Sequence, residues 1–293
     1  MPSLRIATWN SGGEAGGRGA QLLGAVNFAN GTAPPVKLVA IQEAKVSLVP
    51  AGSIRAQLTS GAGPFVNFVV PPDHPRELNP PTQPLAVGKN KSYLIGWDPV
   101  GPGPVSAAAA ARISLVPNAG PPANGVETYI NGLPIGVPSK NALRLAARNI
   151  RAPVRKPFTL AAGGVACNIF FYTWHAELQA NWLGATWATV GLLANPFNGP
   201  GMFPAFQFFQ NSNQFMADMA ALTVNDVIII AGDLNITGAD LGHPAIFPNF
   251  VATSNNLSHV LAFSPSGALA IAQGWHHVTP YPPHSIITAE VQW

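Results

Sequence analysis

The chain has 293 residues, of which 47% are hydrophobic and only 9% are charged. A disordered chain is more polar than this, and the length is sufficient to enclose one large hydrophobic core. The single cysteine, Cys167, excludes an internal disulfide and a cysteine metal cluster. No apolar run approaches the ~18 residues of a membrane-spanning helix, so we expect no transmembrane segment.

The charge balance is weak, with 15 Lys and Arg against 12 Asp and Glu, a net charge of +3. This small excess is compatible with an anionic substrate but does not by itself indicate one. Arg5 interrupts the first apolar stretch, and the residues around it have the composition of a core strand. We therefore expect no signal peptide in this chain.

Short segments rich in Ile, Val, Phe, Tyr and Trp predict β-strands along the whole chain. In chain order these segments are residues 4–9, 36–42, 92–97, 168–174, 227–231, 257–263 and 285–293. Apolar residues at helical spacing predict helices at 20–29, 182–194 and 203–222. Strands and helices that alternate without a repeat predict one layered α/β or α+β domain comprising residues 1–293.

Two stretches rich in proline, glycine and alanine, residues 71–84 and 99–138, interrupt these elements. The chain as a whole contains 29 Gly and 30 Pro, a composition that is typical of long loops. Because neither stretch is long or polar enough to be an interdomain linker, we interpret both as surface loops or insertions.

Polar side chains follow several of the predicted strands directly. Glu43 follows the strand 36–42, and Asp233 follows the strand 227–231 after one glycine. Asn10 ends the first strand, and Asn235 would share a face with Asp233 if the chain stays extended there. Carboxyl ends of strands border the crevice in which α/β proteins bind ligands, although strand ends are also simply where chains become polar. Together the four side chains form an oxygen-rich set that suits Mg²⁺ with several retained waters.

Two of the seven histidines lie at predicted strand ends. His175 closes the strand 168–174, and His284 precedes the last strand. The others are predicted in loops (His74, His243, His276 and His277) or within a strand (His259). A lone histidine is more often structural than catalytic. Two of them beside an oxygen-rich site can protonate a leaving oxygen and stabilise a charged phosphorane.

These motifs carry a resemblance to a known family. Trp9-Asn10, Ile41-Gln42-Glu43-Ala44, Gly232-Asp233-Leu234-Asn235 and His284 before the closing strand resemble, in this order, the endonuclease/exonuclease/phosphatase superfamily. That superfamily includes the deoxyribonuclease-I-like enzymes. Residues 41–44 and the segment 170–176 (FFYTWHA) are most similar to the B subunit of cytolethal distending toxins. Each motif is short, but the series extends over nearly the whole chain.

The resemblance implies a four-layer α/β sandwich, in which two packed mixed β-sheets are flanked by helices. It also implies phosphodiester hydrolysis that depends on Mg²⁺, or alternatively on Mn²⁺ or Ca²⁺. By motif, Glu43 and Asn10 would hold the metal, and Asp233 and Asn235 would orient the attacking water and the phosphate. His175 and His284 would flank the scissile phosphate. Arg144 and Arg148 would bind it, although both are equally well explained as ordinary surface charge.

Three positions depart from the family pattern. Pro283 stands where the family has an aspartate before the last histidine, and Ser258-His259 stands where it has a strand aspartate that orients that histidine. Asn90-Lys91-Ser92 replaces a glutamate that pairs with the first histidine. Loss of such support typically costs ~10–100-fold in related metal sites. We expect either that Ser258 or His259 replaces the missing support, or that activity is reduced.

Three functions remain open at this stage. The first is a toxin-like deoxyribonuclease that nicks DNA with little sequence specificity, brought into a target cell by carrier subunits. For this function, the basic residues that could contact DNA phosphates are Lys89, Lys91, Arg144, Arg148, Arg151, Arg155 and Lys156. The second is a phosphatase that acts on phosphoinositides or other phosphomonoesters. The third is a binding or assembly protein on a catalytically weakened scaffold.

Overall fold

The protein is described by a computed structural model. It describes residues 1–12, 20–22, 24–26, 35–45, 54, 65–70, 91–148, 150–176, 203–241, 246–267, 269–277 and 284–293. The predicted helix 182–194, the stretch 71–84, His74 and His243 lie outside the described residues. Of the predicted helix 20–29, the structure shows helical turns at 20–22 and 24–26.

Two mixed β-sheets form the centre of the described chain. The first contains, in spatial order, β11 (Ala270–His277), β12 (Ile286–Gln292), β1 (Ser3–Asn10), β2 (Leu38–Lys45), β4 (Lys91–Trp97) and β3 (Val66–Val70). The second contains β5 (Ala111–Arg112), β6 (Val154–Ala162), β7 (Val165–His175), β8 (Val227–Asp233), β10 (Ser258–Phe263) and β9 (Val251–Asn255). In each sheet two central strands run parallel, β1 with β2 and β7 with β8.

Three buried apolar clusters show that the layers are stacked as helix, sheet, sheet and helix. One cluster fills the space between the two sheets and contains Ile6 of β1 and Ile229 of β8. A second packs the outer face of the second sheet, including Ile230, against helical residues 205–209. The third packs the outer face of the first sheet against the helical residues Leu22, Ala25, Val26 and Ile54. The predicted sandwich of two mixed sheets flanked by helices is confirmed.

The core strands owe their uniform hydrophobicity to burial on both faces. Successive side chains of a strand point to opposite faces of the sheet. In β8, Val227, Ile229 and Ala231 therefore enter the core between the sheets, whereas Ile228 and Ile230 face the helices. A strand in this position is apolar throughout, which is why the sequence revealed it so clearly.

Five helices of the described chain have defined bounds: α1 (Gly125–Gly132), α2 (Val137–Arg148), α3 (Phe203–Gln210), α4 (Asn213–Ala221) and α5 (Gly238–Leu241). The prediction of one helix over 203–222 is wrong, because the chain begins a new helix at Asn213. The side chain of Ser212 accepts a hydrogen bond from the backbone N–H of Phe215 and so caps that new helix. No helix within the described ranges is long and apolar enough to cross a membrane.

The seven predicted strands are confirmed, and the structure adds β3, β5, β6, β9 and β11. The stretch 99–138, interpreted as a surface loop or insertion, contains regular elements: β5, α1 and the start of α2 lie there. Asn124 caps α1 by accepting a hydrogen bond from the backbone N–H of Glu127, so a proline- and glycine-rich stretch still starts a helix. His276 and His277 belong to β11 rather than to a loop.

Candidate active site

The two parallel strand pairs end beside each other, and their last residues form the candidate site. In the first sheet Asn10 pairs with Gln42, so Glu43 lies one residue beyond it. In the second sheet His175 pairs with Asp233 at the ends of β7 and β8. The start of β12 runs antiparallel to the end of β1, which places His284 at the same edge. The structure therefore brings together residues from five distant parts of the sequence.

The carboxylate of Asp233 is the centre of this cluster. Its Oδ2 atom accepts a hydrogen bond from Asn10 Nδ2 at 2.8 Å and lies 3.0 Å from His284 Nδ1 and 3.8 Å from His175 Nε2. Its Oδ1 atom accepts a hydrogen bond from the backbone N–H of Asn235 at 3.1 Å. Burial alone would raise the pKa of Asp233, but His284, His175 and Asn10 hold that pKa below its ordinary value. Asp233 is therefore ionised at neutral pH.

His175 lies between the two carboxylates of the site. Its Nδ1 atom is 3.5 Å from Glu43 Oε1, and an Nη1 group of Arg151 contacts the same ring nitrogen. Arg151 Nη1 is also 3.8 Å from Glu43 Oε1. Burial, reinforced by the positive charge of Arg151, lowers the pKa of His175 to about 4. His175 is consequently neutral at physiological pH.

A β-bulge directs Glu43 into the site. The pairing of β2 with β4 shifts register between Ile41 and Ala44, and Glu43 has a left-handed backbone with φ of 57°. Such a conformation is unfavourable for a residue other than glycine and persists only where its surroundings hold it. Ser11 holds it here: its hydroxyl lies 3.2 Å from the carbonyl oxygens of both Gln42 and Glu43. Gln42 Nε2 in turn donates to Thr173 Oγ1 at 2.9 Å and joins the two sheets beneath the site.

Asn235 lies beside Asp233, but for a different reason from the predicted one. The prediction assumed an extended chain, whereas Asn235 has φ of 53° and lies in a bend after β8. Its Nδ2 atom donates to the carbonyl oxygen of Ala176 at 2.6 Å. Asn235 therefore fastens the segment that directly follows His175.

Tyr93 supports His175 from the opposite sheet, a role that none of the sequence motifs indicates. Its hydroxyl oxygen accepts a hydrogen bond from the backbone N–H of His175 at 3.0 Å. The guanidinium of Arg112 lies over the Tyr93 ring, 5.5 Å from its centroid. A tyrosine within an apolar strand is also expected in any core, so the sequence contained no separate signal for this contact.

The candidate arginines differ in whether their described contacts include the site residues. Arg144 forms an ion pair with Glu127 on α1, with Nη2 2.7 Å from Oε1, and Arg148 is an exposed residue at the end of α2. The contacts that the structure describes for these two residues do not include the cluster around Asp233, and their phosphate-binding role stays a prediction. Arg151 instead is the arginine that contacts His175 and approaches Glu43.

Two further candidate cations are unsuitable for contacting DNA phosphates. The Arg155 guanidinium binds both carboxylate oxygens of Asp218, at 2.5 and 2.8 Å. Lys156 is only 2% exposed, and its ammonium lies over the Trp97 ring, 4.3 Å from the centroid. The side chains of Lys91 and Lys89 lie outside the part of the chain whose side chains are described.

Ser258 and His259, which stand where the family has a supporting aspartate, make different contacts in the structure. His259 was one of two residues that could replace the missing support. Its ring is bound elsewhere: Nε2 is 2.9 Å from the carbonyl oxygen of Ile236 and Nδ1 is 2.7 Å from Ser254 Oγ. Ser258 lies directly opposite Asp233 in the β8–β10 pairing, and its buried hydroxyl has no hydrogen-bond partner among the described residues.

The oxygen donors of the site suit a hard cation. Glu43 offers a carboxylate, and Asn10 offers Oδ1, which already accepts one hydrogen bond from the backbone N–H of Gly12 at 3.0 Å. Over the described ranges, no three His, Cys, Asp or Glu side chains converge on a common metal position. One carboxylate and one amide oxygen fit Mg²⁺, which keeps several waters, better than Zn²⁺, which prefers a closed set of nitrogen and sulfur ligands.

Comparison with known proteins identifies the fold. No family model matches the sequence, and no curated protein matches it. Solved structures do match. The human Nocturnin catalytic domain with bound sulfate anion has a TM-score of 0.52 at 13% identity, over 99% of this chain and 93% of that one. D. rerio TDP2 complexed with single strand DNA product has a TM-score of 0.50 at 10% identity, over 100% of both chains.

An endonuclease/exonuclease/phosphatase family protein from Bacteroides thetaiotaomicron has a TM-score of 0.51 at 12% identity, over 99% of this chain and 97% of that one. The fold is that of the endonuclease/exonuclease/phosphatase proteins. This endonuclease/exonuclease/phosphatase fold confirms the architecture that the sequence motifs implied. At such low identities the likeness concerns the fold, and the particular similarity to toxin B subunits stays a prediction.

Proposed function

We propose that the protein is a Mg²⁺-dependent phosphodiester hydrolase that nicks DNA with little sequence specificity. The observation that carries this proposal is the convergence of Asn10, His175 and His284 on the buried carboxylate of Asp233. An ionised carboxylate in the core is costly unless it is well paired, and here its partners are two titratable rings at one edge of the fold. Glu43 and Arg151 add a carboxylate and a cation to the same edge.

The exposure of these side chains indicates from which side a phosphate would approach. The side chains of Arg151 and His284 are 26% and 25% exposed, compared with 10% for His175 and none for Asp233. The phosphate would therefore meet Arg151 and His284 first, and the guanidinium would offset its charge. Asn235, whose amide nitrogen is bound to Ala176, would orient the attacking water through its oxygen.

Glu43 and Asn10 would hold the metal in this proposal. When bound, Mg²⁺ supplies positive charge that stabilises the developing negative charge on the phosphate oxygens. The protein's part is to keep Glu43 aimed at the site. The bulge in β2 and the Ser11 hydroxyl do this by fixing its backbone.

DNA is the proposed substrate because backbone cleavage requires phosphate contacts rather than a base-reading motif. TDP2, a protein with the same fold, has been seen with a single-stranded DNA product. The similarity of residues 41–44 and 170–176 to toxin B subunits supports a toxin-like role, in which carrier subunits deliver the protein into a target cell. Because the site residues are far apart in the sequence, only the folded protein brings them together, and activity requires the intact fold.

The proposal is tested by incubating the purified protein with supercoiled plasmid, in Mg²⁺ and in EDTA. We expect nicking in Mg²⁺ and none in EDTA, and a loss of about 10²–10⁴-fold in His175→Ala and Asp233→Asn. Lys140→Met, which changes a cation bound to the Asn131 carbonyl on the helical side, is the matched control and should nick like the wild type. Equal nicking by wild type, His175→Ala and Asp233→Asn would identify a contaminant and contradict the assignment.

A phosphomonoester, such as a phosphoinositide, is the second candidate substrate. The exposure of Arg151 and His284 at one place favours this substrate, because a terminal phosphate dianion can be bound at a single point of contact. A protein with this fold, Nocturnin, has been seen with a bound sulfate anion. Phosphate release from phosphoinositide vesicles without plasmid nicking would favour this substrate. The absence of both activities would favour a binding protein on a weakened scaffold. The structural argument for it is the buried hydroxyl of Ser258, which has no hydrogen-bond partner among the described residues.

A further inference from the structure

We propose that a buried polar bridge, formed by Thr8, Gln42 and Thr173, sets the spacing between the two halves of the candidate active site. Gln42 is its positioning residue, because the Gln42 side chain extends from the first sheet to a hydrogen-bond partner in the second. The catalytic meaning of this inference rests on the proposed function. The spacing itself can be measured in a protein that hydrolyses nothing.

The candidate site is divided between the two sheets. The first sheet supplies Asn10 from β1 and Glu43 from β2, and the second supplies His175 from β7 and Asp233 from β8. Below these residues the sheets meet through apolar side chains, among them Ala40. Apolar contact holds two surfaces together but has no preferred direction. A directional contact beneath the site is therefore needed to fix how far apart its two halves lie.

The polar bridge lies directly beneath the site residues. Thr8 precedes Asn10 by two residues in β1, and Thr173 precedes His175 by two residues in β7. Alternate residues of a strand share a face, so each threonine points to the same side as the site residue that follows it. Gln42 pairs with Asn10 in the first sheet, and all three bridge residues are fully buried. In such an interior a hydrogen bond is electrostatically stronger than in water.

A continuous line of hydrogen bonds joins the three side chains. The hydroxyl of Thr8 donates to the carbonyl oxygen of Ala40 at 3.0 Å, and Thr8 Oγ1 accepts from Gln42 Nε2 at 3.2 Å. Gln42 Nε2 also donates to Thr173 Oγ1, in the other sheet, at 2.9 Å. The amide nitrogen must face this group, because the Ala40 carbonyl oxygen lies 3.2 Å away and can only accept. Gln42 thus holds one acceptor in each sheet.

The bridge uses only the nitrogen end of the Gln42 amide. The Oε1 atom of Gln42 is buried without a hydrogen-bond partner in the described part of the chain. Burial of such an atom costs free energy, so stability alone would favour an apolar side chain at this position. A requirement for the N–H donor, which fixes the spacing of the sheets, accounts for a glutamine in spite of that cost.

Crystal structures of the full-length wild type and of Thr173→Val, in one crystal form, test the spacing. Two distances between the sheets report it: Asn10 Nδ2 to Asp233 Oδ2, which is 2.8 Å, and Tyr93 Oη to the backbone nitrogen of His175, which is 3.0 Å. A methyl group needs about 3.5 Å or more from a nitrogen atom, compared with 2.9 Å for the present hydrogen bond. We therefore expect at least one distance to lengthen by about 0.5 Å. Two unchanged distances would overturn the inference.

Thr8→Val is the matched control, since it replaces the same hydroxyl with the same methyl group. Thr8 and Gln42 both belong to the first sheet, where the backbone pairing of β1 with β2 already fixes their strands. Gln42 also keeps the Ala40 carbonyl oxygen as an acceptor within that sheet. Both distances between the sheets should therefore stay as in the wild type. Equal lengthening in Thr8→Val and Thr173→Val would overturn the role given to the bond between the sheets.

Nicking kinetics test the catalytic consequence. Thr173→Val should lower kcat by about 10-fold or more, because the groups of the second sheet are misplaced relative to those of the first. KM should change little, since the exposed groups that meet the substrate are kept. Thr173→Ser, which retains the hydroxyl, should restore kcat, and Thr8→Val should keep it. A change in KM alone, or a Thr173→Ser variant as slow as Thr173→Val, would overturn the positioning role.

The double variant Gln42→Leu with Thr173→Val separates positioning from stability. It replaces both hydrogen-bond partners by apolar groups and removes the buried Oε1 atom, so its urea midpoint should stay close to that of the wild type. Its kcat should nevertheless fall as in Thr173→Val, and its distances between the sheets should lengthen. Should Thr173→Val alone fail to fold, this variant decides. Wild-type distances and kcat in the double variant would overturn the inference.

The two kinds of measurement separate the inference from the proposed function. Lengthened distances in Thr173→Val, with a wild type that nicks nothing, would uphold the polar bridge and contradict the hydrolase proposal. Nicking by the wild type, with unchanged distances and kcat in Thr173→Val, would contradict the polar bridge and leave the hydrolase proposal standing.

Discussion

The pairing of Arg155 with Asp218 predicts that Arg155 stabilises the fold and does not bind DNA. Asp218 Oδ1 and Oδ2 accept two hydrogen bonds from the guanidinium of Arg155, a third from Gln214 and a fourth from the hydroxyl of Tyr172. The Arg155 side chain is 19% exposed and that of Asp218 only 4%. Asp218→Asn would leave a largely buried cation with a weaker partner, which typically costs about 3–5 kcal/mol of unfolding free energy.

We expect the lower end of that range, about 3 kcal/mol, because Arg155 keeps some contact with water. The assay is urea unfolding of the wild type, Asp218→Asn, Arg155→Met and the double variant. Each single variant leaves the other partner poorly paired, so the double variant should lose at least about 1 kcal/mol less than the sum of the two. An additive double variant would contradict the claim that the two side chains are coupled.

The same variants address the contact with DNA. Arg155→Met should nick plasmid like the wild type, per folded molecule, at a temperature where both are fully folded. A fully folded Arg155→Met that nicks poorly, with a weaker dependence of binding on salt, would show that Arg155 contacts phosphates. That result would refute the reasoning from the ion pair.

Three further predictions follow from packing, titration and charge. Phe209→Ala should lower the unfolding free energy by about 3–5 kcal/mol in urea, since this buried ring lies 5.1 Å from Tyr172 and 4.7 Å from Phe215 between centroids. The pKa of His175 is lowered to about 4. Between pH 6.5 and pH 4, His175 is therefore protonated in the unfolded chain but largely neutral in the folded protein. Stability should fall by about 1.6 kcal/mol from pH 6.5 to pH 5, with a slope that approaches about 1.36 kcal/mol per pH unit, and it should fall less in His175→Asn. Glu43→Gln should weaken Mg²⁺ binding in calorimetry about 10-fold or more, while the thermal midpoint in EDTA changes little.

The elements that the sequence predicted well are those buried on both sides. β8 is apolar at every position down to Ala231, and residues 38–41 of β2 are apolar for the same reason. The strand ends were predictable too, because a polar residue after such a strand has to lie at the edge of the sheet. The sequence alone thus places Glu43, Asp233 and His175 at this edge.

The residues that were missed depend on contacts between distant segments. Arg151 was one of seven candidate cations, and only the packing of the loop before β6 against the end of β7 distinguishes it from Arg155. β6 was missed because Lys156 and Pro157 interrupt its apolar pattern. The ammonium of Lys156 is accommodated by an aromatic face and a carbonyl oxygen, which no local pattern reveals.

The close approach of β7 and β8 at Gly232 has a consequence for how sequences with this motif are interpreted. A Cβ atom at position 232 would lie 2.0 Å from the carbonyl oxygen of Trp174, so a side chain there would force the two strands apart. Packing alone therefore preserves this glycine, even in a descendant that has lost all activity. Packing makes no comparable demand on the charge of Asp233, because an uncharged residue of the same size would fill the same space. In diverging copies of this chain, the glycine marks the fold and the aspartate marks continued selection for chemistry.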